Sequence, residues 1–149
     1  MIERGGIHRD VCGTTPREVL STLVETFLPV SSVSQDKLIE AVLEREALMT
    51  TCIGDGVAVP HPRNFLVTDD SEQFAALAFL KNPVDWNSLD GKQVDTLLLI
   101  VSASAKQHLQ MLAEMTFFCR QENFRRLLNK RASREDLLRF IREAEKNWE

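Results

Sequence analysis

Cysteine is scarce in this chain: Cys12, Cys52 and Cys119 are the only three among 149 residues. They are scattered and odd in number, with neither the paired spacing of a zinc knuckle nor the density of a disulfide framework. That excludes a disulfide-stapled fold, makes a reducing cytoplasm the simplest setting, and leaves each cysteine as a small buried hydrophobe. An excess of positive charge is missing as well, with 18 Lys and Arg against 22 Asp and Glu and a net charge of −4. No nucleic-acid-binding surface is expected of such a chain. No apolar run is long enough to cross a membrane, and the polar, mixed-charge start of the chain makes no signal peptide. Histidine is sparse too, so any imidazole chemistry rests on His8, His61 and His108.

The remainder is ordinary for a globular protein, with 44% hydrophobic and 27% charged residues. At this length residues 1–149 read as a single domain with a real core. Ile7–Val11 reads as a strand that begins almost at once, compatible with a domain that follows another in a longer natural chain. Thr14 or Thr15 with Pro16 opens a helix burying Val19, Leu20, Leu23, Val24 and Phe27 at helical spacing. Pro29 and the serines up to Ser34 end it. Ser34 caps a second helix to about Leu48, with Leu38, Ile39, Val42 and Leu43 inward. Residues 64–72 form a polar excursion, and residues 74–80 a buried strand broken by Lys81-Asn82-Pro83. Residues 86–93 make a turn region around Asp90-Gly91, and Val94–Val101 is another buried strand. A helix from about Ala105 through Cys119 turns Leu109, Leu112, Met115 or Thr116, and Cys119 inward. A shorter helix follows near residues 124–130. Ser133 caps a last one, with Glu135 and Asp136 in its first turn and Leu137, Leu138 and Ile141 on its apolar side. This order of elements indicates an α/β sandwich with a mixed sheet rather than regular parallel units.

The run Gly54-Asp55-Gly56-Val57-Ala58-Val59-Pro60-His61-Pro62 sets one imidazole between two prolines, after a glycine-rich turn and a short apolar strand. Gly54 and Gly56 permit positive φ, and successive amides in such a turn can form an anion-binding concavity. Pro60 suits a strand end, and Pro62 pushes His61 toward extended geometry, so the imidazole is presented outward on a stiff backbone. His108 follows where a strand hands over to a helix, a common ligand position in α/β sheets. Arg45, before the glycine turn, could reach a phosphoryl oxygen through its fork of donors. Arg63 is a second cation, and Thr50 and Thr51 offer hydroxyls. Each has a plainer reading. The turn is a glycine-proline turn that happens to hold a histidine, His108 is a surface residue, and Arg45 is a solvated residue offset by Glu44 and Glu46. His8 reads as a surface strand residue, and a metal site of His61 and His108 lacks a ligand cluster.

Leu43-Glu44-Arg45-Glu46, then Thr50-Thr51-Cys52-Ile53-Gly54-Asp55-Gly56-Val57-Ala58-Val59-Pro60-His61, resembles the enzyme IIA domains of the bacterial phosphoenolpyruvate-dependent sugar phosphotransferase system. The subgroup is the fructose/mannitol type, which includes the nitrogen-regulatory IIA proteins. Gln107-His108-Leu109 is similar to that family's second histidine at a helix start, and Phe124-Arg125-Arg126-Leu127-Leu128 also fits. The resemblance implies a three-layer α/β/α sandwich with a mixed β-sheet. It implies that His61 is phosphorylated, through Nε2, with His108 beside it and Arg45 stabilising the phosphoryl group. Thr51, Gly54, Gly56 and Arg63 are the further phosphate-binding candidates, and no cofactor or metal enters the scheme.

The same resemblance implies a histidine-phosphorylated, HPr-like carrier protein as donor. Met49, Phe65 and Leu66 are candidates for its apolar contacts, although core or loop roles suit them as well. Onward transfer to a IIB cysteine would make the chain a sugar-transport IIA, whereas binding a regulated target would make it a nitrogen-type regulator. A non-catalytic binding module of the same fold is a further reading. Two departures from the family pattern stand out. Cys52 replaces a glycine, and Pro62-Arg63 replaces Gly-Lys, which removes one amide and keeps one positive charge. The His-Pro-Arg variant resembles IIA-like regulatory proteins, so the regulatory role is the expectation.

Overall fold

The computed structural model describes residues 2–26 and 34–146. Phe27, Pro29 and the serines at 31 and 32 lie outside the described residues. Helices α1 (Ile2–Gly5), α2 (Pro16–Thr26), α3 (Gln35–Leu48), α4 (Ala105–Arg120), α5 (Glu122–Asn129) and α6 (Arg134–Lys146) pack on strands β1 (Ile7–Val11), β2 (Cys52–Gly54), β3 (Val57–Ala58), β4 (Phe74–Val84) and β5 (Val94–Val101). The strands form one sheet in the order β1-β4-β5-β3-β2. β1 runs parallel to β4 and β3 parallel to β5, while β4–β5 and β2–β3 are antiparallel, so the sheet is mixed.

Alternation along the two central strands separates the layers, because successive side chains of a strand point to opposite faces. Phe74, Ala76, Ala78 and Leu80 of β4 join Leu97, Leu99 and Val101 of β5 in a cluster with Val19, Leu20, Leu23, Leu38 and Val42 of α2 and α3. Ala75, Leu77, Phe79, Leu98 and Ile100 join a second cluster with Met111, Met115, Phe118, Phe124 and Leu137 of α4, α5 and α6. Both faces of β4 and β5 are therefore covered, which is why these strands are almost uninterrupted apolar runs. The result is the expected three-layer α/β/α sandwich with a mixed sheet.

Serine caps open three of the helices, as expected for Ser34 and Ser133 and newly seen for Ser104. The Ser34 hydroxyl accepts from the amide of Lys37, that of Ser104 from Gln107, and that of Ser133 from Asp136.

Other elements differ from expectation. β4 runs through Lys81-Asn82-Pro83 to Val84, and its pairing with β5 loses register between Phe79 and Val84. The missing Pro83 amide is tolerated in that irregular stretch. Leu109 is 66% exposed rather than inward, since Met111, Met115 and Phe118 form the buried stripe of α4. α1 precedes the first strand and places Gly5 against the backbone of Ala75. Of the cysteines, Cys119 alone is buried, with its thiol pushed up to about 12 by that burial; Cys52 is half-buried and Cys12 exposed.

Candidate active site

The stretch leading to His61 is a β-hairpin rather than a strand after a free turn. β2 and β3 pair antiparallel, and the tip Gly54-Asp55-Gly56 has three consecutive positive φ angles of 98°, 53° and 79°. Pairing continues past the hairpin, where the Val59 amide donates to the Thr51 carbonyl at 3.0 Å and the Ile100 amide donates to the Pro60 carbonyl at 3.0 Å. His61 follows, with its backbone held from both sides. The residue is 8% exposed, so His61 is tucked in rather than presented outward.

Nδ1 of His61 lies 2.9 Å from the Val59 carbonyl oxygen. A carbonyl only accepts, so Nδ1 carries the proton and Nε2 holds the free lone pair of the neutral ring. Sequence reasoning left this acceptor unnamed. It is the backbone two residues upstream, and no side-chain pattern marks it.

His108 enters from the first turn of α4, half-buried, its ring centroid 4.5 Å from that of His61 at an interplanar angle of 47°. Burial lowers the His61 pKa below its ordinary value; the Val59 bond opposes this and the Arg45 charge adds to it. Burial likewise lowers His108, followed by the charges of His61 and Arg45. Three groups from three elements thus share one locality: His61 after β3, His108 on α4 and Arg45 on the last turn of α3. Arg45 Nη1 also donates to the Met49 carbonyl at 2.7 Å, closing that helix. Two neutral rings beside a fixed cation make a site short of negative charge.

The other candidates are placed elsewhere or otherwise engaged. Thr51 is 7% exposed, and its amide and hydroxyl both donate to the Glu46 carboxylate. Thr50 donates its hydroxyl to the Trp86 carbonyl at 2.9 Å. Gly54 and Gly56 stand at the hairpin tip, at the opposite end of β3 from His61, so their amides form no cradle for it. Their positive φ serves the turn. There Asp55 pairs with Arg125 at 3.1 Å and Lys92 at 3.5 Å, beside a charged cavity of about 510 Å³ that His61, His108 and Arg45 do not line. Arg63 is exposed, and its amide donates to the Ala41 carbonyl at 3.0 Å. His8 bonds the Gly5 carbonyl through Nε2 at 2.7 Å, far along the sheet from the pair.

Three exposed apolar side chains stand near the site. Phe65 is 49% exposed with its ring centroid 6.5 Å from His108, and Met49 and Leu109, each 66% exposed, adjoin Arg45's helix and His108. Leu66, the remaining candidate, packs against the core, the plainer of its two readings. Among the described residues no group of three or more His, Cys, Asp or Glu side chains is arranged to hold a metal ion, and no helix is long and apolar enough to cross a membrane.

The family model for the phosphoenolpyruvate-dependent sugar phosphotransferase system, EIIA 2, matches residues 1–144. The chain belongs to this family. As an EIIA-type domain it is 31% identical over 134 residues to a nitrogen regulatory protein of Klebsiella oxytoca, covering 89% of this chain and 80% of that one. Among solved structures, the nitrogen regulatory protein IIA-Ntr of Neisseria meningitidis superposes with a TM-score of 0.78 at 26% identity, covering 93% of each chain. Enzyme IIA for mannitol from Escherichia coli, solved in complex with phosphorylated enzyme IIB, shares the fold with a TM-score of 0.70 at 19% identity over 93% of this chain and 95% of that one. Membership makes this EIIA domain a component of phosphoryl transfer between proteins.

Proposed function

We propose that His61 is the phosphoryl acceptor of this domain and that it works as a phosphohistidine carrier of the nitrogen-regulatory type. The donor is a histidine-phosphorylated, HPr-like carrier protein. Nε2 of His61 attacks phosphorus in line. The new N–P bond forms as the donor's N–P bond breaks, and the electron pair leaves with the donor imidazole. The observation that carries this reading is the 2.9 Å bond from Nδ1 to the Val59 carbonyl, which leaves Nε2 unprotonated.

Phosphoryl transfer asks mainly for positioning and charge stabilisation. Arg45 supplies a fixed positive charge, and His108 supplies a ring N–H from 4.5 Å centroid distance. Lowered pKa values keep both rings neutral near pH 7, so the nucleophile is ready. Phe65, Met49 and Leu109 offer the docking carrier an apolar collar. The phosphoryl group adds about two negative charges to this collar, enough to alter which partner binds.

Relatives named nitrogen regulatory protein support the regulatory role, and a cytoplasmic setting goes with it. The second reading, a sugar-transport IIA passing its phosphoryl group to a IIB cysteine, is favoured by the shared fold with mannitol IIA, itself solved with phosphorylated IIB. Incubation with phosphoenolpyruvate, enzyme I and the carrier protein tests both. One acid-labile phosphoryl group is expected per chain and none on His61→Ala; label surviving that substitution overturns the assignment. A phosphoprotein that persists when a candidate IIB is added marks regulation, and rapid loss to IIB marks transport.

A further inference from the structure

Glu46 faces neither solvent alone nor the adjacent Arg45. Its carboxylate takes both donors of Thr51, the amide at 3.0 Å and the hydroxyl. Both bonds are charge-assisted, and together they fix Thr51 in position and rotation. Thr51 in turn presents its carbonyl to the Val59 amide at 3.0 Å. Val59 presents its own carbonyl to Nδ1 of His61 at 2.9 Å. A continuous chain of hydrogen bonds therefore runs from the last turn of α3 through the open end of the hairpin to the ring of His61. Thr51 is 7% exposed and Val59 1%, so water does not readily replace these bonds.

The same helix holds the far side of the loop, where the Arg63 amide donates to the Ala41 carbonyl at 3.0 Å. Glu46 also directly follows Arg45 in α3. Any shift of the hairpin relative to α3 thus changes two things at once, the distance from Arg45 to His61 and the angle at which Val59 meets Nδ1.

We propose that Glu46 is a positioning residue for His61, acting through Thr51 and Val59 to hold the ring in the Nδ1–H tautomer and at a fixed separation from Arg45. Glu46 touches no reacting atom. Its effect is to keep Nε2 the free nitrogen and to aim it. The inference rests on His61 being the phosphoryl acceptor, but the tautomer it specifies is measurable without any transfer.

The test compares Glu46→Ala, Thr51→Val and Thr51→Ser with the parent chain. Nitrogen-15 NMR of the imidazoles reads the tautomer, and the phosphorylation assay reads the rate. Glu46→Ala and Thr51→Val are expected to lose the single Nδ1–H signature of His61 and to slow phosphorylation about ten- to a hundredfold, the cost of a small misplacement of reacting groups. Thr51→Ser, which keeps both donors, is expected to restore tautomer and rate. A Glu46→Ala chain with the parental tautomer and rate overturns the proposal. So does loss of rate with the tautomer unchanged. If Glu46→Ala fails to fold, the Thr51→Val and Thr51→Ser pair decides by the same two readouts. A parent chain that takes no phosphoryl group refutes the acceptor reading, while the spectra still judge the hydrogen-bond chain.

Discussion

Arg45 Nη1 holds the Met49 carbonyl at 2.7 Å, so a single guanidinium both closes the end of α3 and charges the histidine pocket. Arg45→Ala is therefore expected to act on two scales. Stability falls by only about 0.5–1 kcal/mol, the usual worth of a cation at a partly exposed helix C-terminus. Phosphorylation falls about a hundredfold, as for loss of one preorganised donor to a developing anion. Denaturant unfolding and the rate of label incorporation separate the two, and a rate equal to the parent's would make Arg45 a cap alone.

The histidine pair fixes a pH dependence. Both pKa values lie below the ordinary value of about 6.5, chiefly through burial. In the interval between the folded and unfolded values the unfolded chain binds more protons, so stability rises with pH there. The stabilisation is complete above the unfolded value and lost as pH falls through the folded ones. Phosphorylation should stay level through about pH 6.5, where a free imidazole already protonates, and decline only at the lower pH where His61 itself does. Proton NMR titration checks the values directly. After phosphorylation the His108 value should move upward, because a dianion then faces it.

Glu114 is an acid in the core, 7% exposed on α4, with its pKa raised by burial and then by Glu145. The folded chain holds that proton to higher pH than the unfolded chain does, so this carboxyl costs stability increasingly as pH rises through its folded value. Glu114→Gln is expected to stabilise the domain by about 1 kcal/mol at pH 8 and to be neutral near pH 4. Thermal unfolding at the two pH values measures the difference, and equal shifts at both would refute it.

Gly5 closes α1 onto the sheet. A Cβ there would stand 2.1 Å from the Ala75 carbonyl oxygen, and backbone on both sides cannot yield. Gly5→Ala is expected to cost about 2 kcal/mol or more, read in the urea midpoint, without touching the histidine tautomer.

Much of this was legible before the structure. Ser34 and Ser133 marked helix starts through capping chemistry that depends on one side chain and its neighbours. The buried strands β4 and β5 were visible as apolar runs. α4 was harder, because Leu109, Leu112 and Thr116 share helical spacing just as Met111, Met115 and Phe118 do; periodicity cannot choose between two stripes when one is an exposed rim. The end of β4 was hidden by Pro83, a breaker that a register fault accommodates. At the site, the bringing together of His61, His108 and Arg45 matched the sequence reading. The roles of Thr51, Gly54 and Gly56 did not, because hydrogen-bond partners depend on where a hairpin turns. A glycine pair signals permitted φ, not what its amides face.

The stretch after His61 has a consequence for how tightly the pocket can hold what it receives. Pro62 has no amide to offer, and the next amide, that of Arg63, is already committed to Ala41. The glycine amides stand at the far end of β3, so neither they nor the residues just after His61 form a nest for it, and on the proposed reading the side chains of Arg45 and His108 carry the stabilisation. Amide nests are rigid and hold anions through several donors at once, whereas a single guanidinium, even one tied down at the Met49 carbonyl, is one charge that salt can screen. On the proposed reading such a grip leaves the phosphoryl mark erasable, whereas a firmer one would turn a signal into a permanent scar.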